Sequence, residues 1–430
     1  YTLHKIFAGL LDCYEFAGID QALEIAVKLG EWVYRRLSGL PREKRMKMWG
    51  MYIAGEYGGM NDVMARLYRI TGKKEFLETA GYFDNEKLFL PMEKGIDALE
   101  NLHANQHIPQ VIGAMEIFRA SGEKRYYDIA SYFWKAVTES HLYTIGGTGE
   151  NEMFHGPGCI GNLLTKHTAE SCASYNMLKL TKELYRYENK KEMMDYYERT
   201  MTNHILGGSE HGATGETVYF MPLAPGFHKE FEHENSCCHG TGMESHFKYA
   251  DMIYAYQGEK LFVNLFVKSR LEWKEAGITI RQKTEMEAPE SVILEVESKR
   301  EFPMYIRIPK WSREGRKIWM DSVEQNGWTE ADGYIQMDVP EGRHEIRCLF
   351  PCGFYLEKTP DRPELHTLLY GPYVLAALSG DQNFLELDLD GQKAADEVRK
   401  TGLEFQYRDL TWKPLFDIEE EAFQVYWKKK

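Results

Sequence analysis

Apolar residues recur at helical spacing through the first 260 positions of the chain, and strand-like alternation takes over after Gly258. The helical pattern predicts helices near 1–17, 20–37, 61–71, 74–85, 105–121, 124–140, 168–188, 191–206 and 242–257. A punctuation recurs between them: "TGKKEFLETA", "SGEKRYYDIA", "ENKKEMMDYY" and "QGEKLFVNLF" each set a small or polar turn before Lys-containing residues and a new apolar segment. Self-similarity at a period of roughly 50 to 70 residues predicts stacked helix pairs, about four and a half of them. Such an array stacks openly or closes on itself. Polar end caps of an open solenoid are not evident, so the expectation is a closed (α/α) toroid, the other reading being an open helical repeat that binds partners. A six-pair ring would lack about three opening helices here, and Tyr1 already lies inside an amphipathic pattern. The ring is therefore expected to be N-terminally incomplete.

After Gly258, "GITIRQKT", "SVILEVES", "MYIRIP", "YIQMDV", "HEIRCLF" and "LHTLLYGPYVLAAL" are short runs bounded by turn residues, the signature of a β-sandwich. The expected fold is α+β and multidomain: an (α/α)6-toroid over 1–258, then a β-sandwich region over 259–430. The last 40 residues are mixed and predict no particular element. Trp273, Trp311, Trp319 and Trp328 are expected to pack between sheets or at the domain seam rather than to stack on sugar.

Composition narrows the function. The 430 residues carry a formal charge of −14 without basic runs, which argues against nucleic acid or an anionic membrane as partner. An uncharged substrate fits better. No apolar run reaches a membrane span and no signal-peptide pattern opens the chain. A cytoplasmic location is the expectation, although the abrupt start leaves a preceding signal peptide open, and a homodimer is compatible with the sequence.

Seven cysteines, Cys13, Cys159, Cys172, Cys237, Cys238, Cys348 and Cys352, are too sparse for a disulfide framework. Two stretches stand out. "AESCASYNMLKL" places Glu170 and Cys172 two apart at a helix start, and "SCCHGTGMES" sets Cys237 beside Cys238 ahead of the next. In a toroid these starts would lie side by side. Three thiolates and a carboxylate make a tetrahedral zinc shell, and sulfur favours zinc over magnesium or calcium. Adjacent cysteines form a strained disulfide but reach one metal readily where the backbone turns, and Gly240 and Gly242 are expected to provide that freedom. Structurally inert buried cysteines are the competing reading. His233, His239 and His246 form no zinc pattern of their own and read as loop or supporting groups. Cys159 is a bystander to watch, since it lies between Glu152 and Glu170.

"YTLHKIFAGLLD", "EYGGMNDVMARLYRITG", "LHANQHIPQVIGAMEIF", "GENEMF", "AESCASYNMLKL", "SCCHGTGMES" and "LLYGPYVLAAL" together resemble the β-L-arabinofuranosidase family, glycoside hydrolase family 127, and its relative family 146, in order from Tyr1 to about Ser379. The resemblance implies a retaining glycosidase acting on β-L-arabinofuranose or a related pentofuranose of plant-type glycans. It implies Zn2+ held by Glu170, Cys172, Cys237 and Cys238, with Cys237 as nucleophile. It implies a glutamate acid/base in "GENEMF", Glu152 first and Glu150 second. Sugar-binding positions carry over to His4, Glu56, His103, Glu198 and Tyr219. Without the family, Glu198 reads as a helix-surface carboxylate, Tyr219 as a packed aromatic, and His4 and His103 as core histidines. Metal coordination would deprotonate and aim the Cys237 thiol. Thiolate and carboxylate would then stand in for the usual carboxylate pair of a retaining enzyme. The alternatives are a helical-repeat binding protein with a structural Cys3Glu zinc, and another toroid sugar enzyme such as an epimerase or unsaturated-uronide hydrolase.

Overall fold

The computed structural model describes residues 1–51, 55, 57–212, 214–231 and 236–430, and shows helices followed by sheets. Contacts divide it into two compact units, one of 1–142, 148–159 and 176–187, the other of 143–147, 160–175 and 188–430.

The first unit is built from helix pairs. Helices α1 (Thr2–Ala17) and α2 (Asp20–Leu37) are followed by α3 (Arg42–Trp49), then α4 (Met60–Thr71), α5 (Lys74–Gly81), α6 (Glu86–Glu93), α7 (Ala104–Ser121) and α8 (Lys124–Ser140). At Gly72 and Gly122 the punctuation seen in the sequence is a left-handed cap, and the break at Gly18 is made in the same way. Gly18, Gly72 and Gly122 sit at φ 67°, 72° and 76° between the members of each pair, a conformation that costs glycine nothing. The first helices of successive pairs pack on one another, α1 on α4 and α4 on α7, and α2 packs on α5. Short α3 and α6 were not anticipated. The first has almost no one-sided apolar face, and α6 carries Pro91 inside it, so neither shows an uninterrupted helical period. Helix α9 (Ser171–Glu188) gives its first turn to the second unit and 176–187 to the first.

In the second unit, α10 (Lys191–Thr200) runs into a π-helical turn over Met201–Ile205, and α11 spans Cys237–Lys248. This corrects the expected helix at 242–257: it starts earlier, on the cysteine pair, and ends before a strand. Tyr254–Gln257 pairs antiparallel with Lys260–Val263 around Gly258 at φ 60°. The fourth punctuation, "QGEK", is thus a β-hairpin turn, because Tyr, Phe and Val flank it with alternating rather than helical spacing.

Three sheets follow. The first orders strands 254–257, 260–263, 302–307, 334–339 and 329–331; the second orders 269–273, 278–285, 288–298, 342–349, 317–320 and 323–324. Both feed one buried cluster that includes Val263, Ile280, Leu294, Met304, Ile335, Ile346 and Trp311, with Trp273 and Trp328 against it. The third sheet is centred on 365–370 and 373–378 and takes in strands from the last 40 residues, where helix α12 (Gly391–Glu397) is capped by the Asp390 carboxylate. Its inner face shares a core with Tyr143, Ile145, Ala169, Val218 and Met221. That core anchors the backbone on either side of Glu170 and Tyr219. Among the described residues no helix is long and apolar enough to cross a membrane.

Candidate functional site

Glu170 forms an isolated antiparallel bridge with Phe220. Ser171 N–H donates to Tyr219 C=O at 3.0 Å and Met221 N–H to Thr168 C=O at 2.9 Å, so residues 168–171 and 219–221 run as a short strand pair. Ala169 is fully buried and left-handed at φ 53°. A side chain in that region costs of order 1 kcal/mol and persists only where neighbours over-determine it. Here it swings the chain from the strand pair into α9 and puts Cys172 in the first helical turn.

Cys237 and Cys238 also occupy a first turn, that of α11. Ser236 caps this helix: its backbone N–H is taken by His239 Nδ1 at 3.1 Å, while its side chain serves the His239 backbone, a capping box with histidine in the usual Glu or Gln place. His239 is therefore a supporting group, whereas His246 is exposed beside Tyr249 and His233 lies outside the described residues. The glycines after the pair act differently from the expectation. Gly240 and Gly242 lie inside the helix, and a Cβ on Gly242 would stand 2.6 Å from Thr217 Cγ2. Gly242 permits close approach rather than turning freedom.

The two helix starts bring four ligand groups together. One atom each from Glu170, Cys172, Cys237 and Cys238 lies within 4.8 Å of the others. Cys172 Sγ is 3.2 Å from Cys238 Sγ, Cys237 Sγ is 4.0 Å from Cys238 Sγ, and Glu170 Oε1 is 3.9 and 3.8 Å from the Cys237 and Cys238 sulfurs. Tetrahedral zinc with bonds of about 2.3 Å to sulfur spaces sulfurs by about 3.8 Å, and the two sulfur separations of 3.2 and 4.0 Å lie within about half an ångström of that. All three cysteines are free thiols. The donor set, three soft sulfurs and one carboxylate at two positive helix ends, suits zinc and stabilises thiolates.

The sulfurs are not equivalent. Cys172 and Cys238 are buried and Cys237 is exposed. Hydrogen bonds from Cys172 and Cys238 and from the Tyr219 hydroxyl, whose oxygen is 3.7 Å away, hold the Cys237 thiol far below its ordinary range. Cys172 is pushed up, first by giving its proton toward Cys237. Cys13, Cys159, Cys348 and Cys352 do not join the cluster.

The "GENEMF" stretch lies in the first unit. Glu150 and Met153 exchange both backbone hydrogen bonds at 3.0 Å around Asn151 and Glu152, at φ 45° and 68°. Positive φ at both central residues makes a tight hairpin for which Asn-Gly is the favoured pair. Glutamate in the glycine place is strained, and the turn is pinned by Ala104 N–H on Glu152 C=O at 2.8 Å and Phe154 N–H on Leu102 C=O at 2.9 Å. Strain held this firmly is a feature of functional turns. Glu152 Oε2 lies 3.4 Å from His103 Nε2 and is about one-third exposed, whereas Glu150 is buried against Asn151 and His155.

The remaining expected positions differ among themselves. His4 is buried and accepts the Gly59 N–H on Nδ1 at 3.1 Å, so Nε2 carries the proton; burial, and then Lys5, lower its pKa well below the usual value. His103 opens α7. Glu198 is buried rather than on a helix surface, with one oxygen on Arg307 at 2.6 Å and the other on Trp311 Nε1 at 2.8 Å. Each oxygen keeps a second lone pair. Glu56 lies outside the described residues. Thr241, whose hydroxyl is 3.1 Å from Cys172 Sγ, was not singled out in the sequence. The available signal was its place one turn after Cys237 on the same helix.

Residues 1–251 match the model of the β-L-arabinofuranosidase GH127 catalytic domain, and 260–343 that of the GH127 middle domain. A non-reducing end β-L-arabinofuranosidase of Bifidobacterium longum subsp. longum is 21% identical over 396 residues, covering 80% of this chain; the chain spans 58% of that relative. Among solved structures, a GH127 β-L-arabinofuranosidase from Geobacillus stearothermophilus T6 is 16% identical with a TM-score of 0.75, covering 100% of this chain and 80% of that one. A GH127 β-arabinofuranosidase is 19% identical with a TM-score of 0.78, covering 100% and 76%. The fold, the strand-to-helix presentation of Glu170 and the matched catalytic-domain model lead to one conclusion: the chain belongs to glycoside hydrolase family 127, the β-L-arabinofuranosidase family.

Proposed function

We propose that this chain is a retaining glycosidase that releases β-L-arabinofuranose, or a closely similar pentofuranose, from plant-type glycans. The observation that carries the reading is the cluster of Glu170, Cys172, Cys237 and Cys238, in which Cys237 alone is exposed, within a chain of this family. Zinc, when bound by these four residues, would keep the sulfurs deprotonated and fixed in direction. A structural site favours four enclosed ligands; an exposed ligand sulfur favours the enzyme over a binding protein with structural zinc.

In the proposed reaction the Cys237 sulfur forms a bond to the anomeric carbon as the bond to the leaving oxygen breaks, and Glu152 gives that oxygen its proton. Water then attacks the same carbon, the carbon–sulfur bond breaks, and Glu152 takes the proton from water. Two inversions give net retention. Tyr219, beside Cys237, and His103, beside Glu152, are assigned to the sugar with His4, Glu56 and Glu198. The helix pairs support closure as an (α/α) toroid and the shared core of the first two sheets supports a β-sandwich.

The test is hydrolysis of a panel of aryl pentofuranosides, with the first-formed anomer followed by NMR and the metal content of the protein measured. Release from the β-L-arabinofuranoside with retention, at one zinc per chain, is expected. An inverted product, no release of any pentofuranose, or zinc retained after Cys172→Ser and Cys238→Ser together would overturn the reading.

A further inference from the structure

Helix α11 carries two hydroxyls one turn apart, and they behave differently. Ser245 does what a helical hydroxyl ordinarily does and donates back to a carbonyl one turn earlier, Thr241 C=O, at 3.0 Å. Thr241 instead reaches away from its own helix to Cys172 Sγ at 3.1 Å. It stands three and four residues after Cys238 and Cys237, on the helix face that carries them.

We propose that Thr241 is a positioning residue of the metal centre: its hydroxyl donates to Cys172 Sγ and holds that sulfur, as thiolate, in the ligating orientation. The inference rests on reading the four clustered side chains as a zinc site. A thiolate has no proton of its own, so the hydroxyl must be the donor. Cys172 is 1% exposed, so no solvent water replaces the bond. Cys172 sits on α9 and Thr241 on α11, and the contact therefore also sets the spacing of the two helix starts. Groups that orient metal ligands in this way change affinity by about 10- to 100-fold when removed.

The experiment measures the zinc dissociation constant by competition with a chromophoric chelator, and the sulfur-to-cobalt charge-transfer band after cobalt substitution. The parent is compared with Thr241→Val, which keeps the shape and loses the hydroxyl, Thr241→Ala, which loses both, and Thr241→Ser, which keeps the hydroxyl. Val and Ala variants are expected to bind zinc about 10- to 100-fold more weakly and to shift the cobalt band, with Ser close to the parent. Metal-free melting temperatures should agree between parent and Val variant. A Val variant that binds as tightly as the parent, a Ser variant as weak as Val, or an equal loss of stability with and without metal would overturn the inference alone. A parent that takes up no zinc would overturn the metal-site reading together with it.

Discussion

The thiol cluster and the carboxylate turn solve opposite electrostatic problems. At the cluster, three sulfurs and Glu170 crowd together at two helix starts, where hydrogen bonds and positive helix ends lower the Cys237 thiol. At the turn over Glu150–Met153, two carboxylates stand two residues apart, each beside its own histidine, Glu150 by His155 and Glu152 by His103. In the proposed reaction the first region supplies a group that stays charged, and the second a carboxyl that gives a proton and takes one back, on a backbone strained to aim it. What the two share is a left-handed non-glycine residue, Ala169 in one and Glu152 in the other, so in both the backbone carries cost where the side chain must point in one direction.

The sharpest way to break this contrast is to remove the charged group. Cys237→Ala is expected to lower kcat by about 10⁴-fold or more on every substrate, as for loss of other covalent nucleophiles; steady-state kinetics on an activated aryl glycoside would show near-normal turnover if the sulfur were only a ligand. Next in size is Glu152→Gln. Its loss should cost about 10²- to 10⁴-fold on alkyl or sugar leaving groups and far less on activated aryl ones, while Glu150→Gln should lack that dependence. If the two variants exchange behaviour, the acid/base is Glu150. Smaller is Gly147→Ala, whose Cβ would meet Ala169 Cβ at 2.6 Å and His204 Nδ1 at 2.8 Å. Overpacking of this kind costs about 1–3 kcal/mol, so a lower melting temperature with weaker zinc uptake is expected; an unchanged protein would show that Ala169 is not held from behind.

The effect that is smallest per step, and accumulates over a range, is in pH. His204, bonded to Ser174, and His107, whose Nδ1–H donates to His103 C=O at 2.7 Å, are buried in the two regions, and burial lowers both to about 4. The unfolded chain takes up their protons near pH 6.5 and the folded one near 4. Stability is then fully present above 6.5 and falls as pH drops through that window, by about 1 kcal/mol per pH unit for each histidine. Melting curves from pH 7 to 4 should show the decline, reduced in a His204→Gln variant.

Much of the helical region was legible because its signals are local. Gly18, Gly72 and Gly122 mark three hairpins by a conformation that glycine adopts cheaply, and apolar spacing marks the long helices between them. The same local pattern misled at "QGEK", where the flanking residues rather than the glycine decided for strands, and at Gly242, whose reason is a threonine 25 residues away in sequence.

The sequence by itself determined the mixed helical and sheet classes, the family, and the residue types able to form a thiolate-rich metal centre, since these follow from periodicity, composition and ordered motifs. Only the tertiary structure decided which thiol faces solvent, that α11 begins on the cysteine pair, that both oxygens of Glu198 are engaged, and that Thr241 meets Cys172. Exposure and hydrogen-bond partners arise from segments far apart in the chain, brought together by a core in which Ala169, Val218 and Ala376 share one buried cluster; no local pattern encodes a contact whose two halves are set by different elements.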